Sequence, residues 1–373
     1  MTAGQFPEYM KILLPISLDR WSNPISTLQR ACVRFNPDIE FHSFSNPVSE
    51  EDRAEGESLW KLPNLRLRKP TDIFLERFDI VHTASYSHGN YIATMAAKLR
   101  GLYHTRYLDT MNLEQHPDHP VCWTRYRRVL RWADAFVAVS EAVAADIRQR
   151  VPDRFLGVIP NGFDPELYDP SIDHEVDLPR EIRALAKGFP LWVASIEKRK
   201  RPEIFIRLAR SNPDTPFVAL GGLVGKSAEV YGEQFKKTPN IHWLGNVDRK
   251  TGKAIFARAG VLVFPSEREG LSLAMIEAMA MRIPILAQPK SSMPELVTPG
   301  VNGELIDAED HEGWNRGLHK WLGQHSESQL ASLQIARERA IERFRWSAVG
   351  ASYGPIYRRT FELPARLLHG CPA

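Results

Sequence analysis

The chain has 373 residues, 43% hydrophobic and 25% charged, with a net charge of +3, which describes a globular protein of two or three domains, each able to bury its own core. Residues 1–160 hold 20 Lys and Arg against 19 Asp and Glu, and the remainder 28 against 26, so neither half presents a nucleic-acid surface. Cys32, Cys122 and Cys371 lie far apart without a CxxC, no run approaches the roughly 18 apolar residues of a membrane span, and MTAGQFPEYMKILL lacks the layout of a secretory leader, so a soluble cytoplasmic protein is expected.

Residues 11–16 (KILLPI) read as a buried strand, and Ile25, Leu28, Ala31, Cys32 and Phe35 as the apolar face of a helix behind Ser22-Asn23-Pro24. No glycine stands between Met10 and Asn46, so the G-x-G-x-x-G of a dinucleotide site is missing at this first junction, which argues against a nicotinamide or flavin enzyme. The loop around Trp21 is left as a candidate binding loop. Residues 39–44 alternate like a half-buried strand, 46–72 are polar and read as surface, and 78–82 (FDIVH) form the next strand. A helix over 91–100 follows, stopped by Gly101. Residues 102–120 give a strand and a polar loop, where His116 and His119 form an HxxH without a third ligand, so no metal is expected there. Arg125, Arg127, Arg128 and Arg131 lie on an acid-free amphipathic stretch over 121–132. That stretch is either a solvated helix face or a contact to anionic lipid or an anionic acceptor.

Residues 135–140, 141–150 and 156–159 read as strand, helix and strand, closed by Pro160-Asn161-Gly162. The Pro- and Asp-rich stretch that follows reads as a linker. Residues 190–195 open a second α/β half, and the loop behind them carries Lys198, Arg199, Lys200 and Arg201. A basic loop between a strand and a helix N-terminus suits a diphosphate, because lysine supplies a point charge and the helix end supplies N–H donors. Residues 216–220 form a strand ending in Gly221-Gly222; GGLVGKS lacks the glycine that a phosphate-binding loop would need where Leu220 stands. Residues 241–247 give another strand and turn, and 249–259 a helix.

The stretch 261–307 is the most informative. A short apolar strand (261–264) ends at Pro265, a polar turn holds Glu269 and Gly270, and a run of helix formers carries Glu277 among apolar neighbours. A strand, a glycine turn and a helix N-terminus make an anion site, since the first helical N–H groups lack internal partners. Glu277 needs a partner or a ligand there, unless it turns to solvent. Asn302-Gly303 reads as a turn, and amphipathic helices follow Asp307.

EGLSLAMIEAMA, with seven residues between Glu269 and Glu277, resembles the E-x7-E signature of family 4-type glycosyltransferases with the GT-B fold. VFPS, RIPILA, PELV and GVNGELI match that family's pattern in order, as do ADAFVAVSEAVAADI and VIPNGFDPELYDP earlier in the chain. The resemblance implies two Rossmann-like doubly wound α/β domains facing a cleft, with a C-terminal helix crossing back to the first. The expected boundaries are an acceptor-side domain over 1–165, a linker over 166–188, a nucleotide-sugar domain over 189–345 and the returning helix over 346–373.

It further implies a retaining hexosyltransferase that moves a sugar from a UDP- or GDP-sugar to the hydroxyl of a glycan or lipid-linked acceptor, without cofactor or metal, with peripheral membrane contact left open. Glu269 would contact the donor sugar, Lys200 the leaving diphosphate and Glu277 the ribose. The N–H groups of Gly270, Leu271, Ser272 and Leu273 would hold pyrophosphate or sugar hydroxyls. Gly221, Gly222, Val247 and Lys198 would line the rest of the donor site. On the acceptor side the resemblance points to His82, His88, Asp109, Asn112 and Trp21; His82 and His88 each keep a structural alternative. The chain departs from the family at Ser195, where an arginine is usual, and behind the strand near residue 108, where Asp109 or Asn112 stands in place of the histidine of many relatives. Those departures keep open a non-catalytic sugar-nucleotide or protein-binding relative; a sugar-nucleotide epimerase or hydrolase is the weaker third reading.

Overall fold

The computed structural model describes residues 10–17, 24–44, 62–68, 76–84, 105–111, 129–171, 178–225, 228–323 and 325–364. Trp21, His88 and Asn112, the helix expected over 91–100, and most of the basic stretch over 121–132 lie outside them. The chain forms two compact units, one of Met1–Gly162 with Trp346–Ala373, the other of Phe163–Arg345.

In the first unit β1 (Met10–Ser17), β2 (Ile39–Phe44), β3 (Leu65–Arg68), β4 (Ile80–Thr83), β5 (Arg106–Met111), β6 (Ala135–Ala138) and β7 (Phe155–Val158) pair in the order β3-β2-β1-β4-β5-β6-β7. Every pairing is parallel. A parallel sheet is covered on both faces, and β4 (IVHT) and β6 (AFVA) are buried throughout, the polar residues of β4 included. Strand β3 falls in the polar region expected to be surface. Its sequence, LRLR, keeps Leu65 buried and leaves Arg66 and Leu67 exposed, as a short charged edge strand does.

Helices α1 (Pro24–Arg34) and α2 (Glu141–Arg150) belong to this unit. So does the C-terminal helix (Trp346–Glu362), which lies against α1. A side chain at Gly350 would stand 2.5 Å from the Ala31 carbonyl oxygen, so the absence of a Cβ there sets how closely the two helices approach. Tyr353 and Tyr357 of that helix are fully buried. His82 Nδ1 lies 2.8 Å from Tyr357 Oη, His82 Nε2 lies 2.8 Å from Thr110 Oγ1, and Thr110 Oγ1 lies 3.0 Å from Tyr353 Oη. With both ring nitrogens engaged and no exposed surface, His82 is a structural histidine that ties the returning helix to β4 and β5; the acceptor-side alternative is corrected. Asp109 lies on β5, paired with Thr83 and Phe136.

In the second unit β8 (Phe189–Val193), β9 (Phe217–Leu220), β10 (Ile241–Trp243), β11 (Ala259–Phe264), β12 (Ile285–Ala287) and β13 (Gly303–Leu305) pair in parallel in the order β10-β9-β8-β11-β12-β13. Helices α3 (Pro202–Ser211), α4 (Glu229–Lys237), α5 (Arg249–Phe256), α6 (Leu273–Ala280), α7 (His311–Trp321) and α8 (Glu327–Phe344) accompany them. Buried Trp192, Phe205, Phe217 and Phe235 form one aromatic cluster of the core.

Two sequence expectations change here. Asn302 lies in a turn as expected, but Gly303 already opens an edge strand: a Cβ on Gly303 would lie 1.8 Å from the Ile285 carbonyl oxygen, so only glycine lets β13 pair with β12. The stretch expected as a linker packs into this unit, because Tyr168, Leu178 and Ile182 are apolar enough to be buried. Arg337 of α8 also donates to the Tyr168 carbonyl at 3.0 Å. Among the described residues no helix is long and apolar enough to cross a membrane.

Burial drives the His82 pKa from 6.5 to about 3. The unfolded chain takes up a proton at this residue below about pH 6.5 while the folded chain does not until about pH 3, so stability is lost as pH falls through that window. The urea midpoint of the parent should therefore fall between about pH 7 and about pH 5 more steeply than that of a His82→Gln variant. Identical slopes would remove His82 as the source.

Candidate active site

In the second sheet the strand order reverses between β8 and β11, and ligands of open parallel sheets gather at the carboxyl ends beside such a reversal. The loops leaving these two strands carry Lys200 and Glu269 respectively. Behind β8 the chain forms a single 3-10 turn, Lys198–Lys200, and then passes through Arg201 at φ 56 before α3 begins at Pro202. The Arg201 side chain forms ion pairs with Glu203, Glu267 and Glu309. Lys200 is buried, lies 5.4 Å from the centre of the Phe264 ring, and donates to Glu269 Oε1. Desolvation lowers the lysine's pKa, and the Glu269 charge opposes that shift.

Glu269 is 8% exposed, and one oxygen collects its contacts. Besides Lys200, Oε1 accepts from Ser266 Oγ at 2.6 Å and lies 3.5 Å from Arg199 Nη1. Oε2 takes no partner among the described residues. The two loops are stitched together: Glu267 N donates to the Arg199 carbonyl at 3.0 Å, and Arg199 Nη1 donates to the Arg268 carbonyl at 2.6 Å. Arg199 Nη2 also donates to Glu197 Oε1 at 2.8 Å, an oxygen that accepts from Ser195 Oγ at 2.9 Å. Arg199 therefore brings a cation beside Ser195 and Lys200. Lys198 is exposed.

Helix α6 starts directly behind this loop, with Ser272 as its N-cap and Ser272 Oγ accepting from Met275 N at 3.4 Å. The N–H groups of Gly270, Ser272 and Leu273 donate to no protein acceptor among the described residues. They stand at the positive end of the helix, where unpaired donors favour an anion. Leu271 is buried.

Glu277 lies further along α6, half-buried, and accepts from Tyr168 Oη at 2.5 Å. Its partner is thus a neutral hydroxyl, with the Arg249 charge nearby. Desolvation raises the Glu277 pKa from 4.5 to about 7, against the lowering effects of Tyr168 and Arg249. Arg249 opens α5 just behind Val247, so it links the Val247 turn to the Glu277 end of the site.

The glycine pair closes the neighbouring strand ends. Gly221 has φ 125, and a Cβ there would lie 1.9 Å from the Ala194 carbonyl oxygen; one on Gly222 would lie 2.9 Å from Asn246 Nδ2. The absence of a side chain at Gly221 lets the ends of β8 and β9 approach, whereas the atoms nearest Gly222 belong to the flexible Asn246 side chain. Of the second-unit residues expected from the sequence, the structure joins Lys200 and Glu269 directly, sets Gly270, Ser272 and Leu273 beside them, and connects Glu277 to the Val247 turn. Tyr168, Arg249, Arg199 and Ser266 were not anticipated in their observed contacts. Tyr168 lies in the ELYDP block taken for a linker, and no local pattern marks its partner 109 positions away.

The site thus consists of a buried lysine–glutamate pair at a sheet reversal, beside a helix mouth whose N–H groups at Gly270, Ser272 and Leu273 have no acceptor among the described residues, in a doubly wound α/β unit. Residues 25–167 match the family described as Glycosyltransferase Family 4, and residues 181–340 match Glycosyl transferases group 1. The chain belongs to these glycosyltransferases, with the GT-B fold.

It is similar to a D-inositol 3-phosphate glycosyltransferase of Corynebacterium urealyticum, 23% identical over 318 residues, or 77% of this chain and 73% of that protein. It is also similar to an MMP alpha-(1->4)-mannosyltransferase of Mycolicibacterium hassiacum, 27% identical over 247 residues, or 62% of this chain and 56% of that protein. In fold it is similar to HepE of Anabaena, crystallised with UDP and glucose, with a TM-score of 0.74 at 16% identity over 94% of this chain and 99% of that one.

Because the folded Glu277 value lies above the ordinary 4.5, its contribution to stability is complete below about pH 4.5 and fades as pH rises toward about 7. Removing the Tyr168 hydroxyl removes a group that favours the carboxylate. In a Tyr168→Phe variant, the carboxyl resonance that titrates near pH 7, assigned by its loss in Glu277→Gln, should move to higher pH. An unmoved resonance would show that the hydroxyl does not act on Glu277.

Proposed function

We propose that the protein transfers a sugar from a nucleotide-diphosphate sugar to an acceptor hydroxyl with retention of configuration. The observation that carries this reading is the Lys200–Glu269 pair set beside the unpartnered N–H groups of α6. A cation and a row of backbone donors suit a departing diphosphate, and a carboxylate with one oxygen free suits a sugar bearing positive charge. UDP in the HepE crystals supports a uridine donor; a guanosine donor is the comparison to make.

In the step proposed, the bond from the anomeric carbon to the diphosphate oxygen breaks. The acceptor oxygen bonds to that carbon on the same face, and its proton passes to the leaving phosphate. Lys200 and the N–H groups of Gly270, Ser272 and Leu273 take up the negative charge that develops on the diphosphate. Glu269 stabilises the positive charge on the sugar, and Glu277 accepts from the ribose hydroxyls, displacing Tyr168. Placing fixed charges where charge develops is the main catalytic contribution, since such groups need no reorganisation during reaction. The acceptor is a glycan or a lipid-linked hydroxyl.

A binding-only relative is the second reading, and Ser195 favours it, because a hydroxyl engaged with Glu197 stands where the family's arginine would bring charge. Glu269→Gln separates the two. With a matched donor, turnover should fall by about 100- to 1,000-fold while donor affinity changes by less than about threefold. Equal losses in both would take Glu269 out of the chemistry, and a parent that binds donor without forming product would establish the binding-only reading.

A further inference from the structure

Ser291 stands in the loop behind β12 with φ 53, a conformation that favours glycine. Its hydroxyl accepts from Glu269 N at 3.1 Å and donates to Glu269 O at 2.6 Å, so one side chain engages both peptide groups of a residue 22 positions away. Ser292 Oγ adds a second donor to Glu269 O at 3.2 Å and is fully buried. In the same loop, Gln288 is fully buried and donates to the Pro265 carbonyl, at the other end of the turn that carries Glu269.

We propose that Ser291 is a positioning residue for Glu269. Its hydroxyl takes the place of a neighbouring strand, fixing the peptide planes on either side of Glu269 so that the carboxylate points at Lys200 and Ser266 and keeps Oε2 open. The inference deepens the reading of Glu269 given above and rests on it for the catalytic consequence. It also accounts for a serine at a backbone conformation that glycine would adopt more readily. Glycine has no hydroxyl to reach across.

Ser291→Gly tests this, with Ser291→Ala beside it. Glycine relieves the positive φ while deleting the hydroxyl, so the two effects on stability oppose each other and Tm should stay within about 2 °C of the parent. Alanine deletes the hydroxyl and keeps the conformational cost, so it should melt lower. Amide exchange at Glu269 should accelerate in both variants. With a matched donor, kcat should fall by about 10- to 100-fold with donor KM changed less than about threefold, because misplacement of a catalytic group acts on the chemical step. Unchanged exchange at Glu269 in Ser291→Gly would overturn the clamp. Faster exchange with unchanged kcat would overturn the positioning role. A parent with no transfer to measure would sink the reading of Glu269 as catalytic, and exchange at its amide would then decide the clamp alone.

Discussion

The buried pairing of Lys200 with Glu269 is the constraint around which the second unit is arranged. Two ions taken out of water are tolerated only where their geometry is good and their remaining hydrogen-bonding capacity is met. Here the carboxylate oxygen facing the lysine also receives Ser266 and lies near Arg199, and the Phe264 ring stands beside the ammonium group. Removing one partner of such a pair typically costs about 3–5 kcal/mol, because the other charge is left buried alone. The pair thus holds two loops, one from each side of the sheet reversal, in a single arrangement.

The supports of that pair come from loops that do not follow each other in sequence. Arg201 gathers three glutamates around a left-handed residue at the entry to α3. Arg199 bonds across to the loop of Glu269, and Ser291 and Ser292 bond to it from behind β12. Two of the three non-glycine residues with positive φ among the described residues, Arg201 and Ser291, are therefore in these loops. Backbone conformations that cost about 1–3 kcal/mol each persist where the surroundings over-determine them. The second carboxylate is supported differently: Glu277 sits in an apolar helix, and a tyrosine hydroxyl with a nearby arginine compensates its desolvation only in part.

The first unit depends on polar contacts of another kind. Its C-terminal helix is placed by close packing at Gly350 and by the hydroxyls of Tyr353 and Tyr357, which reach β4 and β5 through His82 and Thr110. Leaving any member of such a buried network unsatisfied costs more than the bond itself contributes, so the network selects one position for the helix.

How much of this was legible beforehand follows from the range of each interaction. Strands β6, β8 and β11 are continuous apolar runs and β1 holds one over residues 12–16, and helices such as α2 and α6 begin at capping serines, so local pattern alone located them. Glu269, Glu277 and Lys200 were marked by spacing and by their place at strand ends, which also suited an anionic ligand. Strands β3 and β13 escaped because an edge strand of three or four residues needs a partner strand rather than a pattern of its own. The residues at 163–171 escaped because proline and aspartate resemble a linker until Tyr168 finds Glu277 and the side chain of Arg337. By itself, then, the sequence determined the fold class, the family resemblance and the residue types of the site, since these rest on periodicity and short motifs. Tertiary structure alone decided that Lys200 meets Glu269, that His82 faces inward and that Ser291 grips the Glu269 backbone. Each of these joins residues at least 22 positions apart, and a contact over that distance depends on how the chain folds back rather than on any local preference.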